Sequence, residues 1–374
     1  MINNKLALLS LAACPYLGPK KIAHLENIFP DLGKIFEVNA EQLLSIGPSS
    51  GWINKFINWR QTFSLTALLE TLQSEKISYL SWHESQYPQL LKEISSPPPI
   101  LFYQGNISLI NQRPQLAIVG SRKNTLYAEK VLKEFMPELI KSKIIIVSGL
   151  ALGVDGLAHR QTLINSGLTI AILGSGLKKS NIYPAAHRQL AQEIIANQGL
   201  LLSEFPPDYP AKKENFPRRN RLISGLCEAV LLIEAAEKSG SLITAQLAIE
   251  QNREVLAIPG NIFTNSSSGT NKLIREGAVP ILRSADILEV LKIETDFKNK
   301  PKRITKKLVY QSTDDQEMLI YKIILAAEKN GDLICADEIV KKTKLDTATI
   351  NSKLSILEIK KVIESRNGYF NLSF

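Results

Sequence analysis

Three short strings place backbone amides, hydroxyls and cations at spacings that suit phosphate. Gly120-Ser121-Arg122-Lys123 follows the apolar run Leu116–Val119, so a glycine turn, a hydroxyl and two cations stand where a strand gives way to a helix. A plain βα turn needs the same glycine. Neither G-x-G-x-x-G nor G-x-x-x-x-G-K-[ST] is completed here, which takes away most support for a dinucleotide or ATPase reading. Phe216-Pro217-Arg218-Arg219-Asn220-Arg221 sets three guanidiniums within four residues. Burying them together is costly unless anions neutralise them, and the planar fork suits bidentate phosphate contact. A solvated face, or pairing to Glu214 and Glu228, is the alternative. Ser239-Gly240-Ser241 opens a helical stretch, where one serine caps the helix and the same dipole end accepts a phosphate. Asp155 and His159 share a helix face four residues apart, as a base with its orienter or as a structural cap, and no nucleophile accompanies them.

The elements that must carry these strings alternate between two periods. Leu116–Val119, Ile144–Val147, Leu168–Leu173, Leu200–Leu202, Ala229–Ile233 and Val255–Ile258 are short apolar runs, each followed by helical spacing. Continuous apolar strands alternating with helices predict an α/β fold whose parallel sheet is covered on both faces, with ligands beyond the carboxyl ends of its strands. Upstream, residues 5–75 show helical apolar spacing broken at Gly18-Pro19, Pro30 and Gly47-Pro48, which predicts a small helical domain. Downstream, helical patterns at 315–329, 336–343 and 347–360 precede two strand-like runs joined by Asn367-Gly368, the residues a tight hairpin prefers. Three helices and a hairpin read as a winged helix.

With 374 residues the chain needs more than one core, and 44% apolar with 22% charged residues excludes wholesale disorder. Cys14, Cys227 and Cys335 stand far apart, and four scattered histidines show no ligand spacing, so neither a metal nor a disulfide framework is expected. The N-terminal stretch lacks the ~20 apolar residues of a membrane helix, and a cytoplasmic protein with no membrane partner is expected. Of the net charge of +9, residues 113–290 supply 21 basic and 16 acidic groups, and residues 291–307 supply 7 and 2. That excess draws polyanions by counterion release. Residues 298–307 hold six cations and a proline and no acid, an exposed linker. Four segments follow: a helical domain over 1–75, the sheet domain over 76–292, a basic linker over 293–309 and a winged helix over 310–374.

The ordered series IVGSRKNTLY, SGLALGVDGLAH, TIAILGSG, IYPAAHRQLA, LLSEFPP, FPRRNRLISGL, EAAEKSGSLITAQLA, VLAIPGN and GTNKLIREGA, between residues 116 and 279, resembles the DNA-processing protein family called DprA or Smf. Tyr87-Pro88 and the string PPPILFYQGN at 97–106 resemble the lead-in to that family's extended Rossmann domain. The resemblance implies a protein without catalysis or cofactor that binds and protects single-stranded DNA in natural transformation, dimerises through this domain and helps load RecA recombinase. Carried over by motif, its DNA-facing groups are Arg122, Ser148-Gly149, Gly174-Ser175-Gly176 and the arginines of FPRRNR. Successive Gly/Ser turns along one sheet edge, spaced ~4.8 Å by the strands, make a track for a phosphate backbone.

This chain departs from the family pattern at Ala128 and Asn252, where glycine is usual; Asn tolerates positive φ. The stretch Gly176 to Pro184 is two residues longer than usual and brings Lys178 and Lys179, two cations that suit DNA. The competing class is a nucleotide N-glycosidase of the lysine-decarboxylase-like (LOG) family, but its Pro-Gly-Gly-x-Gly-Thr motif is replaced by SGSLITA and Glu234 has no matching arginine. Residues 308–374 carry 9 basic and 10 acidic groups, which favours a protein-contact role for the tail over duplex-DNA regulation. Leu17-Gly18-Pro19-Lys20-Lys21 looks like a helix-hairpin-helix turn within a domain of no net charge.

Overall fold

The computed structural model describes residues 3–45, 50–293, 310, 312, 314–330, 334–343, 345–366 and 368–372. Two compact units divide the chain, Met1–Thr295 and Asp296–Phe374. The basic run 298–307 lies outside the described residues.

The first unit begins with helices α1 (Asn4–Ala13), α2 (Pro19–Ile28), α3 (Ala40–Leu44), α4 (Ile53–Thr62) and α5 (Leu65–Ser74). Caps set their starts: Asn3 accepts from the Leu6 amide, and Asn39 with Gln42 forms a capping box. A nine-stranded sheet follows, of β1 (Ser78–Ser81), β2 (Ile100–Gly105), β3 (Gln115–Val119), β4 (Ile145–Ser148), β5 (Thr169–Leu173), β6 (Leu200–Ser203), β7 (Ala229–Leu232), β8 (Glu254–Ala257) and β9 (Val279–Pro280). Its order is β1-β2-β6-β5-β4-β3-β7-β8-β9. The six runs expected to be strands form the parallel body, in register Leu116 to Ile146, Leu116 to Ala229 and Ala229 to Glu254. The expectation of a parallel sheet needs one correction: β1 and β2 add an antiparallel edge against β6, Phe102 facing Ser203.

The connecting helices are α6 (Gln89–Lys92), α7 (Leu126–Lys141), α8 (Val154–Ile164), α9 (Arg188–Ala196), α10 (Asn215–Leu226), α11 (Gly240–Glu250), α12 (Asn265–Arg275) and α13 (Ser284–Val290). Alternate strand residues serve opposite faces. Leu116, Ile118, Ile146 and Leu231 pack with Leu132 and Met136 of α7, while Ala117, Val119, Val147 and Val230 pack with Leu222 of α10 and Ala245 of α11. Each fully buried leucine, isoleucine, valine or methionine among them contributes about 1.5–3 kcal/mol. A third cluster joins Leu8, Leu25 and Phe56 of the first helices to Phe102, Ala171 and Leu173 of the sheet, so one core spans the boundary expected near residue 75. Asn252 takes φ +56°, as its side chain allows.

The second unit holds α14 (Asp315–Asn330), β10 (Ile334–Cys335), α15 (Ala336–Thr343), α16 (Thr347–Ile359), β11 (Ile363–Arg366) and β12 (Tyr369–Leu372). The two last strands pair antiparallel, Ser365 opposite Phe370, and Gly368 has φ +82°. Ile320, Ile324, Ile339, Ile350 and Leu357 fill its core.

Candidate functional site

After β3 the chain runs to β4, β5 and β6 on one side, then returns to place β7 on the other side of β3. The order of strand addition thus reverses between β3 and β7, which pair in parallel, and in open α/β sheets that reversal leaves a crevice beyond the strand ends. A cavity of about 630 Å³ lies there, bounded by the 120–123 turn, α10 and the start of α11. Its charged lining is one-sided: Arg122, Lys123, Lys213, Arg219 and Lys238 against Asp155.

The 120–123 turn is held from below. Glu234, at the end of β7 and 1% exposed, accepts from the Thr125 amide (3.0 Å) and the Thr125 hydroxyl. The Val154 amide donates to the Ser121 carbonyl (3.1 Å), and the Ser121 hydroxyl accepts from the Lys123 amide (3.1 Å). Gly153 permits this close approach at φ +79°, since a Cβ there would lie 2.2 Å from the Ser121 oxygen. Arg122 projects from this braced turn with its guanidinium 5.4 Å from the Phe216 ring centre, and makes no ion pair among the described residues. Phe216 in turn lies 5.5 Å from the exposed Tyr183 ring. Across the cavity, Ser239 caps α11 by accepting from the Ser241 amide (3.3 Å), and Gly240 leaves its helix end open, with nothing within 4 Å of where a Cβ would sit.

The three FPRRNR arginines divide two ways, because a helix turns 100° per residue and places Arg219 on a different face from Arg218 and Arg221. Arg219 points inward, 3% exposed, and donates to the Gly149 carbonyl (2.8 Å) and the Ile172 carbonyl. Burial pushes its pKa down to about 10, opposed by the charge of Asp155. Arg221 grips the buried Glu204 with both nitrogens (3.0 and 2.7 Å), and Arg218 approaches the same carboxylate at 3.3 Å. The partner is therefore Glu204 rather than Glu214 or Glu228, and Glu228 pairs with Arg113 instead.

Asp155 and His159 do not form a base with its orienter. Asp155 accepts from the Gly149 and Ala151 amides (3.1 and 3.4 Å), and burial raises its pKa. His159 is fully buried with Nδ1 bonded to Thr169 (2.7 Å), and burial, then the charges of His187 and Arg219, lower its pKa to about 3. It stays neutral, with Nε2 lacking a partner among the described residues.

The cavity brings together Gly120, Ser121, Arg122, Lys123, Arg219, Asn220, Ser239, Gly240 and Ser241. The remaining candidates lie elsewhere. Ser148 is buried and donates to the Ile118 carbonyl (2.6 Å), and Gly149 packs against Arg219 and Asp155. Gly174 packs on the Phe216 ring, Ser175 is buried, and the Gly176 amide is spent on the Tyr209 carbonyl (2.8 Å). Lys178 pairs with Asp208 (2.8 Å), and Lys179 is exposed. Tyr183, Lys213 and Lys238 line the cavity without having been expected there, as does the ring of Phe216, named only as the head of its arginine string, although aromatics among cations are the signal of a single-strand groove.

Residues 78–292 match the model of the family described as DNA recombination-mediator protein A. The chain belongs to that family. DNA processing protein DprA of Bacillus subtilis is 40% identical over 227 residues, which are 61% of this chain and 75% of that protein. Protein Smf of Synechocystis is 36% identical across 94% of each chain. Among solved structures, DprA of Streptococcus pneumoniae superposes with TM-score 0.66 at 33% identity, covering 77% of this chain and 98% of that one. A structure of DNA processing protein A from Helicobacter pylori, described for its single-stranded DNA binding mode, gives TM-score 0.52 at 32% identity over 58% of this chain and 96% of that one. The family's shared region thus contains every residue of the cavity.

Proposed function

We propose that this chain binds single-stranded DNA through the cavity between the 120–123 turn and α11, and acts on it without catalysis. The observation that carries this reading is the set of four exposed cations, Arg122, Lys123, Lys213 and Lys238, beside the half-buried Phe216 ring and the exposed Tyr183 ring, at the point where the strand order reverses. Guanidinium and ammonium groups neutralise phosphates, and a ring face accepts any base, so the site holds a strand without reading its sequence. The Helicobacter pylori relative supports the same ligand. An N-glycosidase needs a carboxylate facing the sugar, whereas both oxygens of Glu234 accept from Thr125, and Asp155, the carboxylate in the cavity lining, is buried and accepts from the Gly149 and Ala151 amides.

From the family membership the reading extends to protection of incoming DNA in natural transformation, assembly as a homodimer through the sheet domain, and help in loading RecA recombinase. The second unit is read as a winged helix serving protein contact, joined by the basic linker. A nuclease-protection assay tests the core of this: the chain should shield a labelled single strand from an exonuclease, and incubation with nucleoside monophosphates should release no free base. Digestion at the unprotected rate, or base release with turnover, would overturn it.

A further inference from the structure

The segment between β6 and α10, together with Arg218 of α10, carries a second set of aromatic and cationic side chains. Phe205 and Tyr209 stack with ring centres 5.1 Å apart and planes at 24°. Arg218 lies 5.2 Å above the Phe205 ring, and Lys212 lies 5.3 Å above that of Tyr209. Both cations are exposed, whereas Phe205 is buried and so acts as the base on which Tyr209 rests. None of these four residues lines the cavity.

The segment that carries Tyr209 is fixed by the loop expected to bind phosphate. The Gly176 amide donates to the Tyr209 carbonyl (2.8 Å), while the Lys178 amide and the Asn181 side chain both donate to the Pro207 carbonyl (3.2 Å each). Lys178 pairs with Asp208 at 2.8 Å. A Cβ on Gly176 would stand 2.1 Å from the Pro207 oxygen, so only glycine lets the two loops meet. A ring held this way loses little freedom when a base stacks on it, and the exposed Lys212, on its long flexible stem, can swing from the ring to a phosphate.

We propose that Tyr209, with Lys212 and Arg218, forms a second nucleotide subsite that takes the part of a single strand leaving the cavity. Both places lie beyond one sheet edge, one starting from the end of β3 and the other from the end of β6, strands that stand three spacings or ~14 Å apart. A chain of a few nucleotides covers that distance across the start of α10. This inference rests on the cavity being the primary single-strand site.

The test compares oligothymidylates of about 4 and about 16 nucleotides, spanning the lengths one single-strand-binding fold holds, by fluorescence anisotropy with the full chain. Tyr209→Ala and, separately, Lys212→Glu should weaken binding of the long oligomer by about tenfold and leave the short one unchanged, while Tyr209→Phe should bind both as wild type. A 5-bromodeoxyuridine placed outside the cavity-bound stretch should crosslink to Tyr209. If Arg122→Ala weakens both lengths while Lys212→Glu and Tyr209→Ala change neither, the second subsite is wrong and the cavity stands. Equal losses at both lengths also overturn it, because the variants would then act through the cavity. If wild type binds neither oligomer, the cavity reading itself fails and this one with it.

Discussion

Arg122 and Arg221 stand in strings of equal promise in the sequence, and their surroundings in the fold predict opposite outcomes when each is changed to Ala. Arg122 is exposed, faces a ring and makes no ion pair among the described residues, so its loss removes a phosphate contact and leaves nothing buried and unpaired. A charge-assisted contact of this kind is worth about 1.5–3 kcal/mol, and the log–log salt slope should fall by about 0.7 for one lost phosphate on a single strand. Arg221 is 11% exposed and holds both oxygens of Glu204, itself 2% exposed. Truncating it leaves a buried carboxylate short of its partner, which costs about 3–5 kcal/mol of stability; the lower end applies because Arg218 stays within 3.3 Å. Anisotropy with a labelled oligothymidylate and thermal unfolding of the same samples separate the two. Arg122→Ala should bind weakly and melt like wild type, and Arg221→Ala should melt several degrees lower. The reasoning is refuted if Arg221→Ala melts normally yet loses DNA, or if Arg122→Ala binds normally while fully folded.

Phe216→Ala should weaken binding by about 1–3 kcal/mol, the usual worth of a stacked base, and Phe216→Tyr should restore most of it in the same titration. Gly153→Ala forces a Cβ to 2.2 Å from the Ser121 carbonyl at φ +79°, so the 120–123 turn must shift; affinity and melting temperature should fall together. Below pH 6.5 the unfolded chain takes up a proton on His159 that the folded chain refuses until about pH 3. Stability from this group is therefore complete above pH 6.5 and is lost as pH falls toward 3, by about 1.4 kcal/mol per unit; denaturation of His159→Asn should show a shallower acid slope than wild type. A chain ending before Leu308 should keep its single-strand affinity, and neutralising Lys300, Lys302, Arg303, Lys306 and Lys307 together should cost affinity mainly at low salt, where screening is weakest.

What could be read from the residues alone depended on how local its cause is. The runs Leu116–Val119 and Ala229–Ile233 are apolar throughout because both faces of their strands are covered, and Gly120-Ser121 after the first and Glu234 after the second mark the carboxyl edge. The antiparallel edge escaped because Ser78–Ser81 is short and half polar and Ile100–Gly105 follows three prolines, so neither shows the pattern of a central strand. That residues 120–123 form the turn after β3 was legible from Gly120 and the apolar run before it. The fate of each FPRRNR arginine was not, since it is decided by Glu204, Gly149 and Ile172, far away in the chain. Likewise nothing in Gly174-Ser175-Gly176 announces that its last amide is taken by Tyr209.

The most direct test of the account is competition between a single strand and a duplex of equal length for the full chain, read by electrophoretic mobility across a range of salt concentrations. A cavity of cations and ring faces predicts preference for the single strand, whose bases are free to stack, with affinity falling linearly in log–log form at a slope of about −0.7 per neutralised phosphate. Equal affinity for the duplex, or a flat response to salt, would contradict it.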